Sequence, residues 1–171
     1  EGVRLSRLEV GRGTVFLVPV RSEGSGSLCI GKSNTFGVPQ SQQLGNGGIL
    51  LQPRKRQAEI RIGNDNAFNN NVAIVANGRV TIGNGCQIGD QVAIYDCDFH
   101  EIHPATRNQS HGSVRPVEIG NNVWLGSRVM VLKGVRIGDN SVIGAMSLVN
   151  KSIPPNCLAA GNPAKVIRVL E

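Results

Sequence analysis

The sequence predicts an all-β fold in which three short strands form one coil and the coil repeats along the chain. Aliphatic residues recur at every sixth position, and glycine follows many of them. Aromatic residues make up only 4% of the 171 residues, so the core must be built from Val, Ile and Leu. A spacing of six fits neither the helical period of about 3.6 nor the strand period of 2. It fits a short strand followed by a turn, repeated.

The clearest repeat lies in the C-terminal half of the chain. One series has an aliphatic residue at every sixth position, and its members are Ile119, Leu125, Val131, Ile137, Ile143 and Val149. A second series follows four residues later, at Val123, Val129, Val135, Ser141 and Ser147. We interpret the interval from Ile119 to Ile137 as three hexapeptides, which form one three-sided coil.

The same pattern predicts coils upstream, with longer intervals wherever a loop is inserted. Coils are expected to open at Ile30, Ile62, Ile82, Ile119 and Ile137. The two long intervals predict insertions at about 37–57 and 95–117. The N-terminal stretch "EGVRLSRLEVGRGTVFLVPV" is expected to be β-rich coil material, and almost no helix is expected outside the C-terminal segment.

The charge balance favours an anionic partner without identifying it. The formal net charge is +6 and the pI is about 9.6. Apart from "RKR" at Arg54–Arg56 the basic residues are scattered, and no aromatic stacking platform accompanies them. This distribution argues against a nucleic-acid partner.

The cysteines and the absence of targeting features predict a cytoplasmic protein. The four cysteines form no C-x-x-C pair and are typical of a reducing compartment; they are Cys29, Cys86, Cys97 and Cys157. The sequence has no signal-peptide pattern and no apolar run near 18 residues, so no membrane span is expected.

The stretch from Ile62 to Leu170 resembles the hexapeptide-repeat acetyltransferases, in particular the galactoside, maltose and polysaccharide O-acetyltransferases. The similarity is carried by "PVEIGNNVWLGSRVMVLKGVRIGDNSVIGAMSLVNKSIPPNCLAAGNPAKVIRVL". It implies a single left-handed parallel β-helix with loop insertions and a short C-terminal segment. It also implies acetyl-CoA as co-substrate and a homotrimer with active sites between subunits. The N-terminal stretch departs from the family, whose sugar acetyltransferases begin with a helical segment.

On this basis we expect one domain over residues 1–171. Irregular N-terminal coils are expected at 1–61 and regular coils at 62–94 and 117–154, with an active-site loop at 95–117 and a C-terminal segment at 155–171.

The segment "YDCDFHEIHP" interrupts the repeat and contains the H-x-x-H of the sugar acetyltransferases. The resemblance places the general base at His100. Histidine can take a hydroxyl proton at neutral pH, because its ordinary pKa is about 6.5. Asp96 and Asp98 are candidates for orienting the imidazole or binding the acceptor. His103 and His111 are expected to be ordinary loop residues.

The resemblance also assigns residues around the acceptor and the co-substrate. Asn69 matches the asparagine that contacts the acceptor, and the backbone N–H of Ser127 matches the donor that faces the thioester oxygen. The residues implied for coenzyme A are Trp124, Ser127, Gly144, Ala145, Lys151, Lys165 and Arg168.

The sequence therefore predicts an acetyl-CoA-dependent O-acetyltransferase that acts on a sugar hydroxyl by direct transfer in a ternary complex. By family analogy the acceptor is a precursor of a bacterial surface polysaccharide. The alternatives are an N-acetyltransferase acting on an amino sugar, a β-helix scaffold without activity, and a metal enzyme of the gamma-carbonic-anhydrase type. We expect no metal, because that enzyme takes further histidines from a later coil and none follows His111. Coenzyme A is expected in a groove between coils, since the chain has no phosphate-binding loop motif.

Overall fold

A computed structural model describes residues 4–41, 45–110 and 112–171. These residues form twenty strands and no helix, and the strands lie in three sheets. Sheet A contains β1 (Arg7–Val10), β4 (Ser27–Ile30), β7 (Glu59–Ile62), β10 (Arg79–Ile82), β13 (Val117–Ile119) and β16 (Arg136–Ile137). Sheet B contains β2 (Val15–Phe16), β5 (Thr35–Phe36), β8 (Ala67–Phe68), β11 (Gln87–Ile88), β14 (Trp124–Leu125), β17 (Val142–Ile143), β19 (Cys157–Gly161) and β20 (Ala164–Val169). Sheet C contains β3 (Val20–Ser22), β6 (Ile49–Pro53), β9 (Ala73–Ala76), β12 (Ala93–Tyr95), β15 (Met130–Val131) and β18 (Leu148–Val149).

The chain visits the sheets in the order A, B, C and then repeats, which makes a parallel β-helix with three-sided coils. Strand pairing is parallel from β1 to β19 and in register, so Ile62, Ile82 and Ile119 stack on one another through sheet A. Only the last pair, β19 with β20, is antiparallel in the described chain. The predicted all-β, parallel and coiled architecture is confirmed, and the C-terminal segment is a hairpin.

The core is the inside of this prism. The side chains of both predicted series are buried, including the polar Ser141 and Ser147. Ser141 satisfies its hydroxyl by donating to the carbonyl oxygen of Pro154 and accepting the N–H of Cys157. Phe36 and Phe68 stack inside sheet B with their ring centroids 4.6 Å apart. Side chains at equivalent positions stack on one another because the strands pair in register, and each inward position lies about 4.8 Å from its equivalent in the next coil.

Two expectations for the N-terminal half need correction. The predicted insertion at 37–57 contains a regular strand, β6, whose Leu51 pairs with Ile74. Strands β1 to β6 also pair in register with the later coils, although irregular coils were expected at 1–61. The sequence interval between β5 and β6 hid this regularity, because its length breaks the spacing of six along the chain, whereas the pairing between coils is kept.

The coils turn at three corners, which we name by the sheets that they join. The BC corner follows sheet B and consists of 17–19, 37–41, 45–48, 69–72, 89–92, 126–129 and 144–147. The CA corner follows sheet C and consists of 23–26, 54–58, 77–78, 96–110, 112–116, 132–135 and 150–152. The AB corner consists of 11–14, 31–34, 63–66, 83–86, 120–123, 138–141 and 153–156.

Candidate active site

A small cavity of about 150 Å³ beside the BC corner brings two of the predicted residues together. Asn69 and Trp124 both line it, with Gly89 between them along the prism. Trp124 points outward from sheet B and is 55% exposed. Asn69 uses its Oδ1 to accept the backbone N–H of Asn70 at 2.7 Å, which fixes the side chain in the turn. An exposed indole next to an anchored amide is suited to packing and hydrogen bonding with a small molecule.

A second groove, of about 360 Å³, continues along the same corner past Ser127 and Ala145. Neither of these residues donates its backbone N–H to an acceptor within the described chain. A Cβ at Gly89 would lie 2.6 Å from the nitrogen of Ser127, so a larger residue there would cover that donor. Free N–H groups facing a groove can bind a carbonyl oxygen or an oxyanion.

Packing between coils explains why residue 144 is a glycine, which the sequence did not reveal. A Cβ at this position would lie 2.8 Å from the Cβ of Ala160 in the next coil. The stacking of coils therefore accounts for a glycine at this position without any ligand.

The segment at 96–116 leaves the CA corner as a loop whose two ends are tied together. Cys97 and Val114 form an antiparallel bridge, and the backbone N–H of Asp98 donates to Ser113 at 3.0 Å. Burial, and then the neighbouring Asp96, raise the pKa of Cys97 to about 11, so this thiol stays protonated at neutral pH. The loop thus has a fixed base and an exposed tip.

An ion pair joins the loop to the coil that follows it. The Nζ of Lys133 lies 2.6 Å from Oδ1 of Asp98, and Ser113 Oγ donates to Oδ2 at 3.1 Å. The hydrogen bond from Lys133 is the main reason why the pKa of Asp98 lies below its ordinary value. Asp98 is therefore ionised and held by its own chain, which makes it a support for the loop.

The geometry corrects the predicted role of Asp96. Its carboxylate is completely buried, and its two oxygens accept the backbone N–H groups of Asn77 at 2.8 Å and Gly78 at 2.7 Å. Both oxygens are occupied, so Asp96 fastens the turn between β9 and β10 and does not face an acceptor.

His100 lies at the exposed tip of this loop, in a shallow cavity of about 220 Å³ that it shares with Phe99 and Ser110. The ring of Phe99 stands edge-on to Tyr95, with the centroids 5.3 Å apart. The guanidinium carbon of Arg54 lies 4.9 Å from the centroid of Phe99. A cation over the ring and an aromatic edge beneath it hold the residue that precedes His100.

His103 does not share this position. Nδ1 of His103 accepts the backbone N–H of Ala105 at 3.3 Å, so this ring takes part in a local turn. His111 lies outside the described residues. A group of three or more histidine, cysteine or acidic side chains able to hold a metal is absent from residues 4–41, 45–110 and 112–171.

The three predicted cations are exposed, but they are not at one place. Lys151 lies on the CA corner one coil beyond Lys133, since Val131 pairs with Val149. Lys165 and Arg168 lie on β20, opposite Ala160 and Leu158. Lys165 is thus close to the end of the BC corner, and Lys151 is on the corner that holds the histidine loop.

The predicted site residues therefore fall into two sets. Asn69, Ser127 and Ala145 lie on the BC corner, whereas His100 and Lys151 lie on the CA corner, and sheet C separates the two corners within one chain. Two residues that contact the histidine loop, Lys133 and Arg54, were not predicted from the sequence. Each lies in a coil that is distant from the loop in sequence, and no local sequence pattern predicts such a contact.

The repeats agree with known proteins. Residues 116–151 match the family described as bacterial transferase hexapeptide (six repeats). The galactoside O-acetyltransferase of Escherichia coli (strain K12) is 46% identical over 111 residues, which cover 65% of this chain and 54% of that protein. Over these residues the chain is similar to the hexapeptide-repeat acetyltransferases. It spans about half the length of the curated relatives that it matches.

Solved structures show the same relationship. A galactoside acetyltransferase in complex with coenzyme A is 33% identical, with a TM-score of 0.62, and the match covers 94% of this chain and 66% of that one. A hexapeptide-repeat acetyltransferase from Vibrio cholerae is 26% identical, with a TM-score of 0.68, covering 95% of this chain and 74% of that one. Separately, none of the described segments is a helix long and apolar enough to span a membrane.

Proposed function

We propose that the protein is an acetyl-CoA-dependent O-acetyltransferase whose acceptor is a sugar hydroxyl. The observation that carries the proposal is the pair of free backbone N–H groups, at Ser127 and Ala145, in a groove that continues from the exposed Trp124. This arrangement suits a thioester arm lying along the coils. The coenzyme A complex of the related galactoside acetyltransferase supports the same assignment.

In the proposed reaction the acceptor oxygen attacks the thioester carbonyl carbon while His100 takes the hydroxyl proton. The N–H of Ser127 donates to the oxyanion that forms on the carbonyl oxygen. The C–S bond then breaks, and the proton passes from the imidazole to the departing sulfur. The acetyl group moves directly from sulfur to oxygen within a ternary complex.

We propose that two copies of the chain combine the two sets of site residues, in a homotrimer with each site between neighbours. The outward side chains of sheet A are mostly charged, as in Arg61, Arg79 and Glu118. Sheets B and C instead carry outward apolar side chains, including Trp124 and Met130. A neighbour would cover sheets B and C, which brings the CA corner of one copy towards the BC corner of the next.

Two finer features of the proposal follow the family. We propose left-handed winding of the coils, as in the hexapeptide-repeat acetyltransferases. We also propose a cytoplasmic location, in keeping with the four cysteines that are free in the described chain.

The direct test is thiol release from acetyl-CoA in the presence of a panel of sugars. Release that depends on a sugar, with an acetyl ester recovered on that sugar, is the expected result. An acetyl amide formed only on amino sugars would contradict O-transfer. Absence of any sugar-dependent release would contradict the function.

Mixing two inactive variants tests the shared site. His100→Ala removes the base, and Ala145→Trp fills the groove at an exposed position. When the two are refolded together in equal amounts, about a quarter of the sites should combine an intact His100 with an intact groove, and activity should return accordingly. If both residues of a site came from one copy, every site would retain a defect and the mixture would stay inactive.

A further inference from the structure

The charge of the chain is concentrated on the corner that holds the histidine loop. The CA corner contains seven Lys and Arg residues and four Asp and Glu residues, whereas cations and anions are equal in number on the AB and BC corners. Half of the formal net charge of +6 therefore lies on one of three corners.

Most of these cations have no acidic partner. Lys133 forms an ion pair with Asp98, and across residues 4–41, 45–110 and 112–171 no other cation of the CA corner has one. The six without an ion pair are Arg54, Lys55, Arg56, Arg107, Arg115 and Lys151. Uncompensated charge on one edge produces a local positive potential that attracts anions.

Arg54 connects this potential to the proposed base. Its guanidinium lies over the ring of Phe99, the residue before His100. Its Nε donates to Oε1 of Gln52 at 2.8 Å, which fixes the plane of the group. The side chain is exposed, so its terminal N–H groups can form a two-pronged hydrogen bond with a carboxylate.

The two ends of the CA corner are far enough apart to serve different anions. Arg54–Arg56 lie in the second coil, the histidine loop leaves the fourth, and Lys151 lies in the sixth. At about 4.8 Å per coil, the basic cluster and Lys151 are on the order of 20 Å apart, on opposite sides of the loop. Lys151 is on the side of β19 and β20, where Lys165 and Arg168 are also located.

We infer that the acceptor is an acidic sugar, whose carboxylate binds Arg54 and its neighbours Lys55 and Arg56 while its hydroxyl meets His100. This inference rests on the proposed function and names the acceptor class of the same site. The cations implied for coenzyme A, Lys151, Lys165 and Arg168, lie on the other side of the loop, so the acceptor and the co-substrate would not compete for Arg54–Arg56. The ring of Phe99 is covered by Arg54 and stands edge-on to Tyr95, which disfavours the stacking of nucleic-acid bases on it.

The test compares acceptors that differ only in the carboxylate, namely galactose with galacturonic acid and glucose with glucuronic acid, together with their short oligomers. The wild-type protein should show a higher kcat/KM for the acidic member of a pair. Lys55→Gln with Arg56→Gln should lower that kcat/KM about tenfold and leave the neutral member and the KM for acetyl-CoA unchanged. Arg54→Lys, which keeps the charge but loses the planar fork, should give a partial loss, and Arg54→Gln a larger one.

A matched control removes the same charge from a balanced corner. Arg12→Gln with Lys32→Gln changes two exposed cations of the AB corner and should leave the preference for acidic acceptors intact. Circular dichroism and thermal unfolding of both double variants confirm that they fold.

Binding gives a readout that does not need turnover. A fluorescent oligogalacturonate should bind the wild-type protein, more weakly as salt rises, and should bind the Lys55→Gln, Arg56→Gln variant less tightly. Equal use of neutral and acidic acceptors, a rise in the KM for acetyl-CoA in that variant, or tighter binding of a thymidine oligonucleotide would each overturn the inference and leave the acetyltransferase function standing. Absence of transfer to every acceptor would overturn the proposed function, and the inference with it.

Discussion

The BC and CA corners are built on the same prism, but they present different chemistry. The BC corner is electrically neutral and offers backbone N–H groups and small residues, beside the exposed indole of Trp124 on sheet B. The CA corner is basic and offers side chains, with a histidine on a loop that is tied down by Asp98 and Lys133. The difference shows how a repetitive fold acquires a site. The groups of the BC corner come from the repeat itself, whereas the histidine of the CA corner comes from the longest loop that interrupts the repeat.

The comparison is also the reason why we propose a site shared between two copies of the chain. Backbone donors are fixed by coil stacking and cannot move towards the loop, and the base of the loop is bridged at Cys97 and Val114. In the proposed trimer a second copy, and not bending of the prism, would bring the two corners together.

Among variants of the two corners, we expect the largest loss of activity from His100→Ala. Turnover should fall by about 10² to 10⁴, the usual contribution of a positioned base, while acetyl-CoA binding stays close to that of the wild type. His103→Ala is the matched control, because that ring bonds only within its own turn, and its effect should be much smaller. Steady-state kinetics with calorimetry of acetyl-CoA binding measures both; a larger loss in His103→Ala would mean that the histidines are assigned in the wrong order.

The next effect isolates the backbone donor of the BC corner. A Cβ introduced by Gly89→Ala would press on the nitrogen of Ser127 at 2.6 Å, so kcat should fall by about 10² to 10³ if that N–H stabilises the oxyanion. Gly83→Ala crowds the AB corner equally, with a Cβ 2.6 Å from the oxygen of Gly120, but lies away from the proposed site. The two variants should lose similar amounts of thermal stability, and the loss of kcat should be larger for Gly89→Ala than for Gly83→Ala. Equal losses of kcat would remove Ser127 from the mechanism.

The smallest effect concerns the support of the CA loop. Lys133→Met should lower the free energy of unfolding by about 1 kcal/mol at neutral pH, because the ion pair with Asp98 is partly shielded from solvent. The pKa of Asp98 is lowered in the folded protein, so its stabilisation is present above the ordinary value of 3.8 and is lost as the pH falls through the lowered value. The difference between variant and wild type should shrink in that acidic range.

Urea unfolding at several pH values measures this difference. Arg61→Met, which breaks the more exposed pair with Glu59, is the control and should cost only a few tenths of a kcal/mol. A difference for Lys133→Met that persists unchanged at pH 2 would show that packing of the lysine stem, and not its charge, supports the loop.

The sequence by itself determined the coils and the position of the loop. Spacing of aliphatic residues is a local property, since each hexapeptide buries one side chain whatever its neighbours are, so the three-sided coils could be read directly from Ile119 to Val149. The histidine loop was equally visible, because it interrupts that spacing. The structure of the residues in the two long intervals was harder to predict, and strand β6, which lies in one of them, was not predicted from the sequence.

Only the tertiary structure decided which residues meet. Asp96 and Asp98 are two positions apart on the same loop, yet one is buried against the turn at 77–78 and the other pairs with Lys133. Arg54 reaches Phe99 across two coils. These contacts depend on how coils of unequal sequence length align in space, and that alignment follows from hydrogen bonding between strands. A longer loop increases the sequence distance between two residues that are in contact, but it does not change which residues are in contact. The spacing along the chain therefore determines the coil, and the stacking of coils determines the site.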